Sequence, residues 1–324
     1  VSVGLIGWRG DKLRSPGVID SPLSREAAFL ANNVLFAIFA FVVLLGTVFP
    51  LIIEALQDRQ IAVGAPFFDK LSMPIGLALL TLMAIAPVLP WRKASTETLR
   101  DRLFWPAWCG VAALVASLLL GSYGVAPLLT FTLGGVASGA ALRQVVLATR
   151  RQGLRGLVGR ANGGMIVHLG VILIAVSLGA SNSFSKSQEL SLVTNVEAQF
   201  SGHTFELRDV VEVRDDRSIS VKALVLVDGK KIYAPAITKY TRIGMNVGTP
   251  SVRTSLTTDI YLTLEPPVRQ DSNEARIKVF IKPMIMWLWI GTALMAIGTV
   301  LAAFPGRRRK PTEPTSAPVE VAKS

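Results

Sequence analysis

The sequence predicts a polytopic α-helical membrane protein with a β-rich domain inserted between its fifth and sixth membrane helices. Hydrophobic residues make up 51% of the chain and charged residues only 17%, a balance typical of membrane proteins. Residues 181–282 lack any long apolar run, and stretches within them show apolar residues at alternate positions, which is a strand pattern. Six apolar segments approach or exceed the roughly 20 residues that a helix needs to cross a bilayer. They are 29–53, 71–90, 104–121, 125–148, 163–180 and 283–304.

Basic residues predict the orientation of these segments. They gather in the leader at 1–28, in two of the connections and at the start of the C-terminal tail. The residues concerned are Arg9, Lys12, Arg14, Arg25, Arg92, Lys93, Arg100, Arg102, Arg150, Arg151, Arg155, Arg160 and Arg307 to Lys310. Because cytoplasmic loops are enriched in Lys and Arg, both termini are expected on the cytoplasmic side of a bacterial-type inner membrane. This distribution accounts for most of the net charge of +12 without a nucleic-acid partner.

The first apolar segment is no cleavable signal peptide, because it is too long and follows a hydrophilic leader. Ser24, beside Arg25 and Glu26, is suited to cap its helix. Asn32 and Asn33 enter the membrane, where their amides need partners. We interpret these residues as structural, with docking against another part of the assembly as the alternative. A GSYG turn at 121–124 predicts that the third and fourth segments form a tight antiparallel pair.

The region 181–282 is predicted to form a β-rich domain on the outer face of the membrane. Alternating patterns at 204–213 and 218–227 predict strands, and Asp228-Gly229 predicts a hairpin turn into 230–234. Another strand is expected at 259–264. His203 starts the first of these strands, and without metal-ligand neighbours it is interpreted as a solvated or turn-packing residue. The last helix is expected at 283–304, followed by a basic, disordered tail at 305–324.

The familiar motifs of soluble enzymes are absent from the sequence. It contains no glycine-rich phosphate loop, no HExxH, no GxSxG and no carboxylate pair within an apolar segment. The single cysteine, Cys109, excludes an internal disulfide and a CxxC or CxxCH motif, and is interpreted as a packing residue. A six-helix permease is disfavoured because no charged residue lies deep in an apolar segment.

His168 is the strongest candidate for chemistry, because it lies within the otherwise uncharged segment 163–180 of the five-helix region 29–180. At helical spacing, Gly164, Ala175 and Gly179 fall on or near its face, with Val171 and Ile172 adjoining. The small residues leave room for a porphyrin, and a neutral imidazole is a good axial ligand of haem iron. They would equally allow another helix to pack closely, with His168 hydrogen-bonded across the interface.

Four stretches of the chain resemble the C-terminal half of the CcmF family, membrane proteins of c-type cytochrome maturation in a haem-handling superfamily. They are 20–33 (DSPLSREAAFLANN), 46–50 (GTVFP), 162–170 (NGGMIVHLG) and 281–291 (IKPMIMWLWIG). The resemblance implies cytochrome c-type biogenesis, with the chain a subunit of a haem lyase that attaches haem to CxxCH cysteines of apocytochrome c. It implies that His168 is one axial ligand of a membrane b-type haem (haem b), whose second axial histidine comes from another chain or the missing half.

The same resemblance implies several partners. They are the N-terminal half of the lyase carrying a Trp-rich segment, a haem chaperone, and apocytochrome c with its thiol-handling partner. Here the tryptophans are Trp8, Trp91, Trp105, Trp108, Trp287 and Trp289, and none lies in a Trp-Trp-Asp context. Trp105, Trp108, Trp287 and Trp289 suit an interfacial belt instead. The chain, whether a natural split protein or a fragment, is therefore not expected to be active alone. The alternative function is a non-catalytic scaffold whose β-rich domain docks apocytochrome or assembly partners.

Overall fold

The computed structural model describes residues 2–13, 21, 24–89, 96–241, 244–266 and 273–304. Six of the helices in this part of the chain are long and apolar enough to cross a membrane, and a β-rich domain follows the fifth of them. The predicted fold class is therefore confirmed. The helices are α1 (Ser2–Leu13), α2 (Arg25–Gln57), α3 (Ala65–Ile85), α4 (Thr96–Leu119), α5 (Val125–Gln152), α6 (Arg160–Phe184) and α7 (Ile285–Ala303), with a 3₁₀ turn at Gly153–Leu157.

Most of the helices are longer than the apolar segments that predicted them. α2 starts at Arg25 and ends at Gln57, and α5 continues to Gln152, because polar residues extend backbone hydrogen bonding beyond the apolar stretch. The leader contains α1, which its composition did not predict. Trp91 and the basic residues Arg14, Arg92 and Lys93 lie outside the described residues, as does the predicted tail at 305–324.

The chain divides into two compact units, the first comprising the described parts of 1–110 and 136–143. Ser24 caps α2 as predicted, because its buried hydroxyl accepts a 3.1 Å hydrogen bond from the Ala27 N–H. The Arg25 guanidinium donates to the Pro87 carbonyl at 2.9 Å, which ties the start of α2 to the turn after α3. Asn33 is exposed on α2, and both its structural interpretation and the docking alternative stay predictions.

α4 and α5 approach each other closely at one point within this unit, whereas the tight antiparallel pair predicted for them stays a prediction. A β-carbon placed on Gly139 of α5 would lie 2.9 Å from the Pro106 α-carbon and 3.0 Å from the Cys109 sulfur. Only glycine lets the two helices approach this closely. Cys109 therefore packs at this contact, although its thiol remains exposed.

The second unit comprises residues 111–135 and the described part of 144–306, including the β-rich domain. This domain has a four-stranded sheet in the order β1-β10-β9-β8 and a six-stranded sheet in the order β2-β3-β4-β6-β7, with β5 paired to β4. Its strands are β1 (Lys186–Val193), β2 (Glu197–Phe200), β3 (His203–Asp215), β4 (Ser218–Val227), β5 (Lys231–Tyr233), β6 (Ala236–Tyr240), β7 (Asn246–Thr249), β8 (Ser251–Thr254), β9 (Thr258–Leu264) and β10 (Glu274–Pro283).

The predicted strands at 204–213, 218–227 and 259–264 are confirmed as β3, β4 and β9. Asp228 and Gly229 have φ angles of 52° and 62°, the positive pair that a two-residue hairpin turn requires. Alternate residues of the strands fill the core, which includes Phe205, Val225 and Ile277, all fully buried. Apolar alternation was therefore a sufficient signal for this part of the fold.

The β-rich domain is tied to the start of α7 by two hydrogen bonds. Met284 adopts the left-handed conformation at φ 60°, and its N–H donates to the Thr257 carbonyl at 2.9 Å. The Trp287 indole N–H donates to the Leu256 carbonyl at 2.9 Å. Trp287 thus anchors the domain to the helix, whereas Trp289 is exposed.

Candidate functional site around His168

His168 lies on α6, whose backbone packs directly against α7. A β-carbon on Gly163 would lie 2.5 Å from the Ala302 nitrogen, and one on Gly170 would lie 2.6 Å from the Gly291 carbonyl oxygen. On α7, a β-carbon on Gly298 would lie 2.7 Å from the Val167 nitrogen. Small residues that let two backbones touch are the usual basis of helix association in membranes. The α6–α7 contact therefore fixes the orientation of the helix that carries His168.

A second side of α6 packs against the first part of α5. The β-carbon of a residue at Gly134 would lie 2.6 Å from a Val176 methyl group, and at Gly179 it would lie 2.9 Å from the Thr130 methyl group. Ile172 on this side is almost completely buried. Gly179 and Ile172 were predicted beside the open face of His168, but both pack against α5.

His168 occupies a strip of α6 that lies between these two packed sides. Successive residues turn by about 100° around a helix, which places Gly164, His168 and Ala175 on this strip. A β-carbon on Gly164 would have no atom within 4 Å. Two adjacent glycines thus play different parts: Gly163 is in contact with α7, and Gly164 leaves open space one turn from the imidazole.

The imidazole of His168 is partly buried, and its Nδ1 is buried without a hydrogen-bond partner among the described residues. Leaving a buried polar atom unpaired costs about 1–3 kcal/mol. The interpretation of His168 as a packing residue required a partner across a helix interface, and the described part of the chain supplies none for Nδ1. A haem-ligating imidazole uses one ring nitrogen for iron and the other for a supporting hydrogen bond. The described residues therefore do not account for His168 as a packing residue hydrogen-bonded through Nδ1.

Asn162 holds the beginning of α6 in place. It is 5% exposed, and its amide nitrogen donates to the Gly156 carbonyl in the preceding 3₁₀ turn. The Gly159 N–H donates to the Leu301 carbonyl of α7 at 3.0 Å. The sequence analysis did not predict these hydrogen bonds or the α6–α7 contact. A signal for the contact was present, since glycines recur seven residues apart at 163 and 170 and again at 291 and 298.

His203 is far more completely satisfied than His168. Its Nδ1 lies 2.8 Å from Asp228 Oδ2, and the Thr204 N–H donates to Asp228 Oδ1 at 3.0 Å. Partial desolvation raises the pKa of Asp228, but the hydrogen bonds from His203 and Thr204 and the charges of His203 and Lys230 outweigh it and lower that pKa. His203 thus contacts Asp228 of the hairpin turn, and its interpretation as a solvated or turn-packing residue stays a prediction. Among the described residues no group of three or more His, Cys, Asp and Glu could hold a metal ion.

Comparisons with known proteins agree with this architecture. No family model matches the chain. The chain is 30% identical to the cytochrome c-type biogenesis protein CcmF of Pseudomonas fluorescens over 88% of its own length and 44% of the relative. It is 28% identical to CcmF of Escherichia coli K12 over 97% of its length and 48% of the relative. A solved structure titled cytochrome c heme lyase CcmF covers 88% of the chain, and the chain covers 46% of that structure, with a TM-score of 0.72 and 26% identity. The chain thus spans about half the length of the curated relatives it matches.

Proposed function

We propose, from its similarity to the C-terminal half of CcmF proteins, that the chain is a subunit of a membrane haem lyase in cytochrome c-type biogenesis. In this proposal His168 supplies one axial ligand to a b-type haem in the membrane. The observation that carries it is the buried, unpartnered Nδ1 of His168 beside the open space at Gly164.

The surrounding residues of this chain would hold the ligand and keep its approach clear. The α6–α7 backbone contact at Gly163 and Gly170 prevents the helix from rotating the imidazole away. Gly164 and Ala175 keep the strip beside the ring small. A haem bound there would supply one-electron chemistry at its iron, with the potential set by its axial ligands and surroundings.

The second axial histidine is proposed to come from another chain or from the other half of the lyase. This chain has two histidines, and His203 is engaged with Asp228 in the β-rich domain. The further proposed partners are the Trp-rich half of the lyase, a haem chaperone, apocytochrome c and its thiol-handling partner. The chain by itself is therefore not expected to complete haem attachment.

The proposed topology places both termini in the cytoplasm and the β-rich domain outside. Six membrane-capable helices and bacterial relatives support a multi-pass inner-membrane protein. The exposed arginines Arg150 and Arg151 end α5, where the positive-inside rule favours the cytoplasmic side.

Oxidised and reduced absorption spectra of the assembled lyase test the ligand proposal. His168→Ala should remove the reduced b-type absorption, because the iron loses an axial nitrogen. His203→Ala is the matched control and should retain that absorption. Survival of the b-type spectrum in His168→Ala, or its absence from the intact assembly, would rule out His168 as the ligand.

A further inference from the structure

Strand β7 forms an exposed edge of the six-stranded sheet. It is the last strand in the order β2-β3-β4-β6-β7, and all four of its residues, Asn246–Thr249, are exposed. None of them is charged or proline. Free sheet edges are ordinarily blunted by charges, prolines or covering segments because they can pair with another chain.

The other described edge strands carry charged residues. On β8, the Arg253 guanidinium donates to the Ile232 carbonyl at 3.0 Å, and the Ala234 N–H donates to the Ser251 hydroxyl at 3.1 Å. β1 begins with Lys186, and β2 begins with Glu197. Among the described edge strands, β7 is thus the one without a charged residue.

The register of β7 shows which of its main-chain groups are free. The Tyr240 N–H donates to the Met245 carbonyl at 3.1 Å, and β6 pairs with β7 through Thr238↔Val247 and Lys239↔Asn246. Since antiparallel pairs alternate between bonded and non-bonded, Val247 bonds to β6, whereas the N–H and C=O of Asn246 and Gly248 point away from it. A β-carbon on Gly248 would meet nothing within 4 Å, so the sheet face at this position is open.

The outward side chains next to this edge are apolar. Met245 is 58% exposed, Val247 40% and Tyr240 41%, and cross-strand pairing places them on the same face of the sheet, away from the core. A strand added to β7 would find hydrogen-bonding groups along its backbone and an apolar surface for alternate side chains. This combination is the basis of peptide recognition by strand addition.

We propose that β7 binds an extended, haem-free segment of the apocytochrome by strand addition. The identity of this partner rests on the proposed function, whereas the binding mode rests on the edge itself. Only two residues of β7 face outward. Pairing at this edge alone would therefore bury far less area than the roughly 1,200 Å² that a stable interface between two copies buries. A short edge suits a client that must leave after haem attachment. A folded cytochrome has its backbone groups already paired and should not compete.

Photo-crosslinking tests this proposal in the full assembled lyase in membranes. A benzophenone amino acid at position 245 reports contact with a haem-free CxxCH cytochrome polypeptide, and the same polypeptide folded with haem attached serves as the comparison. We expect crosslinks to the haem-free form only. Asn246→Pro removes an outward N–H without touching the β6 ladder and should lower the yield about tenfold, the effect of losing about 1.4 kcal/mol.

A matched proline at the other edge of the sheet controls for general damage. Gln199 pairs with Thr204, whose N–H and C=O both bond to Asp228 on the far side, so the backbone of Gln199 also faces outward. Gln199→Pro should leave crosslinking unchanged. Equal crosslinking to the folded cytochrome, no effect of Asn246→Pro, or crosslinks to a second copy would each overturn the proposal. His168→Ala should leave the crosslinks intact, so failure of the haem proposal and failure of this one are separable.

Discussion

His168 and His203 are both partly buried, yet their surroundings differ in kind. His203 lies in a β-hairpin region where Asp228 accepts its hydrogen bond at 2.8 Å and is itself bonded to the Thr204 N–H. His168 lies in a membrane-capable helix, and its Nδ1 has no partner among the described residues. Water can stabilise an exposed imidazole but does not reach the interior of a bilayer, so the unpaired residue is the one whose cost requires an explanation.

The helix around His168 shows how that cost is sustained. Gly163 and Gly170 bind α6 to α7 through direct backbone contact, whereas Gly164 contacts nothing at its missing side chain. A rigid contact and an open strip therefore exist on the same helix. The ring of His203 instead has a partner within the domain, since its Nδ1 bonds to Asp228. The difference teaches that a histidine's partners, rather than its burial, distinguish a structural role from a ligand role.

Gly170→Leu should give the largest effect, because it breaks the rigid contact. A β-carbon there would meet the Gly291 carbonyl oxygen at 2.6 Å, and a backbone oxygen cannot move aside as a side chain can. We expect destabilisation at or above the upper end of the about 1–3 kcal/mol typical of overpacking, measured by thermal unfolding in detergent. Gly76→Leu is the matched control, because Gly76 lies in α3 with no atom within 4 Å. Equal unfolding temperatures for the two variants would contradict the α6–α7 contact.

Gly164→Leu should act on the open strip and leave the fold intact. No atom lies within 4 Å of its β-carbon position, so the unfolding temperature should match that of the unmodified chain. The leucine would occupy the space beside His168 and weaken haem binding about tenfold or more, as expected for about 1.4 kcal/mol of steric cost. Haem titration of the assembled lyase measures this, with Gly164→Ala giving a smaller loss. Undiminished haem affinity in Gly164→Leu would show that the strip is not part of the site.

The sequence predicted the parts of this molecule that depend on local pattern. Alternation and Asp228-Gly229 were enough for the β3–β4 region and its hairpin turn, because strand period and turn conformation are local properties. The six membrane helices followed from apolar length. The ends of α2 and α5 were misplaced because polar residues such as Arg25 and Gln152 continue a helix that hydropathy alone does not extend.

Contacts between distant segments could not be predicted from the sequence pattern. Nothing near Gly163 or Gly170 specifies that α7, more than a hundred residues later, is the partner helix. Gly179 was grouped with the open face of His168, but it packs against Thr130 of α5. His203 meets Asp228 because the register pairs Phe205 with Val227, which places Thr204 opposite Asp228 and His203 next to it along the strand. The candidate site was thus identified by residue type, whereas its open and closed sides required the structure.

The His203–Asp228 pair should give the smallest effect and completes the contrast with His168. Because the pKa of Asp228 is lowered in the fold, its ionised form stabilises the domain above the ordinary aspartate pKa. This contribution is lost as pH falls from that value through the lowered one. His203→Ala removes a hydrogen bond that lowers the pKa, so acid should then destabilise the hairpin less steeply. The side chains are 27% and 41% exposed, which limits the loss at neutral pH to about 1 kcal/mol or less.

Hydrogen exchange of β3 and β4 amides, corrected for intrinsic pH dependence, measures both effects, with Asp216→Asn in the opposite turn as the control. An unchanged acid dependence in His203→Ala would mean that Thr204 and Lys230 alone hold Asp228 ionised. His203 would then contribute nothing to the lowered pKa of Asp228.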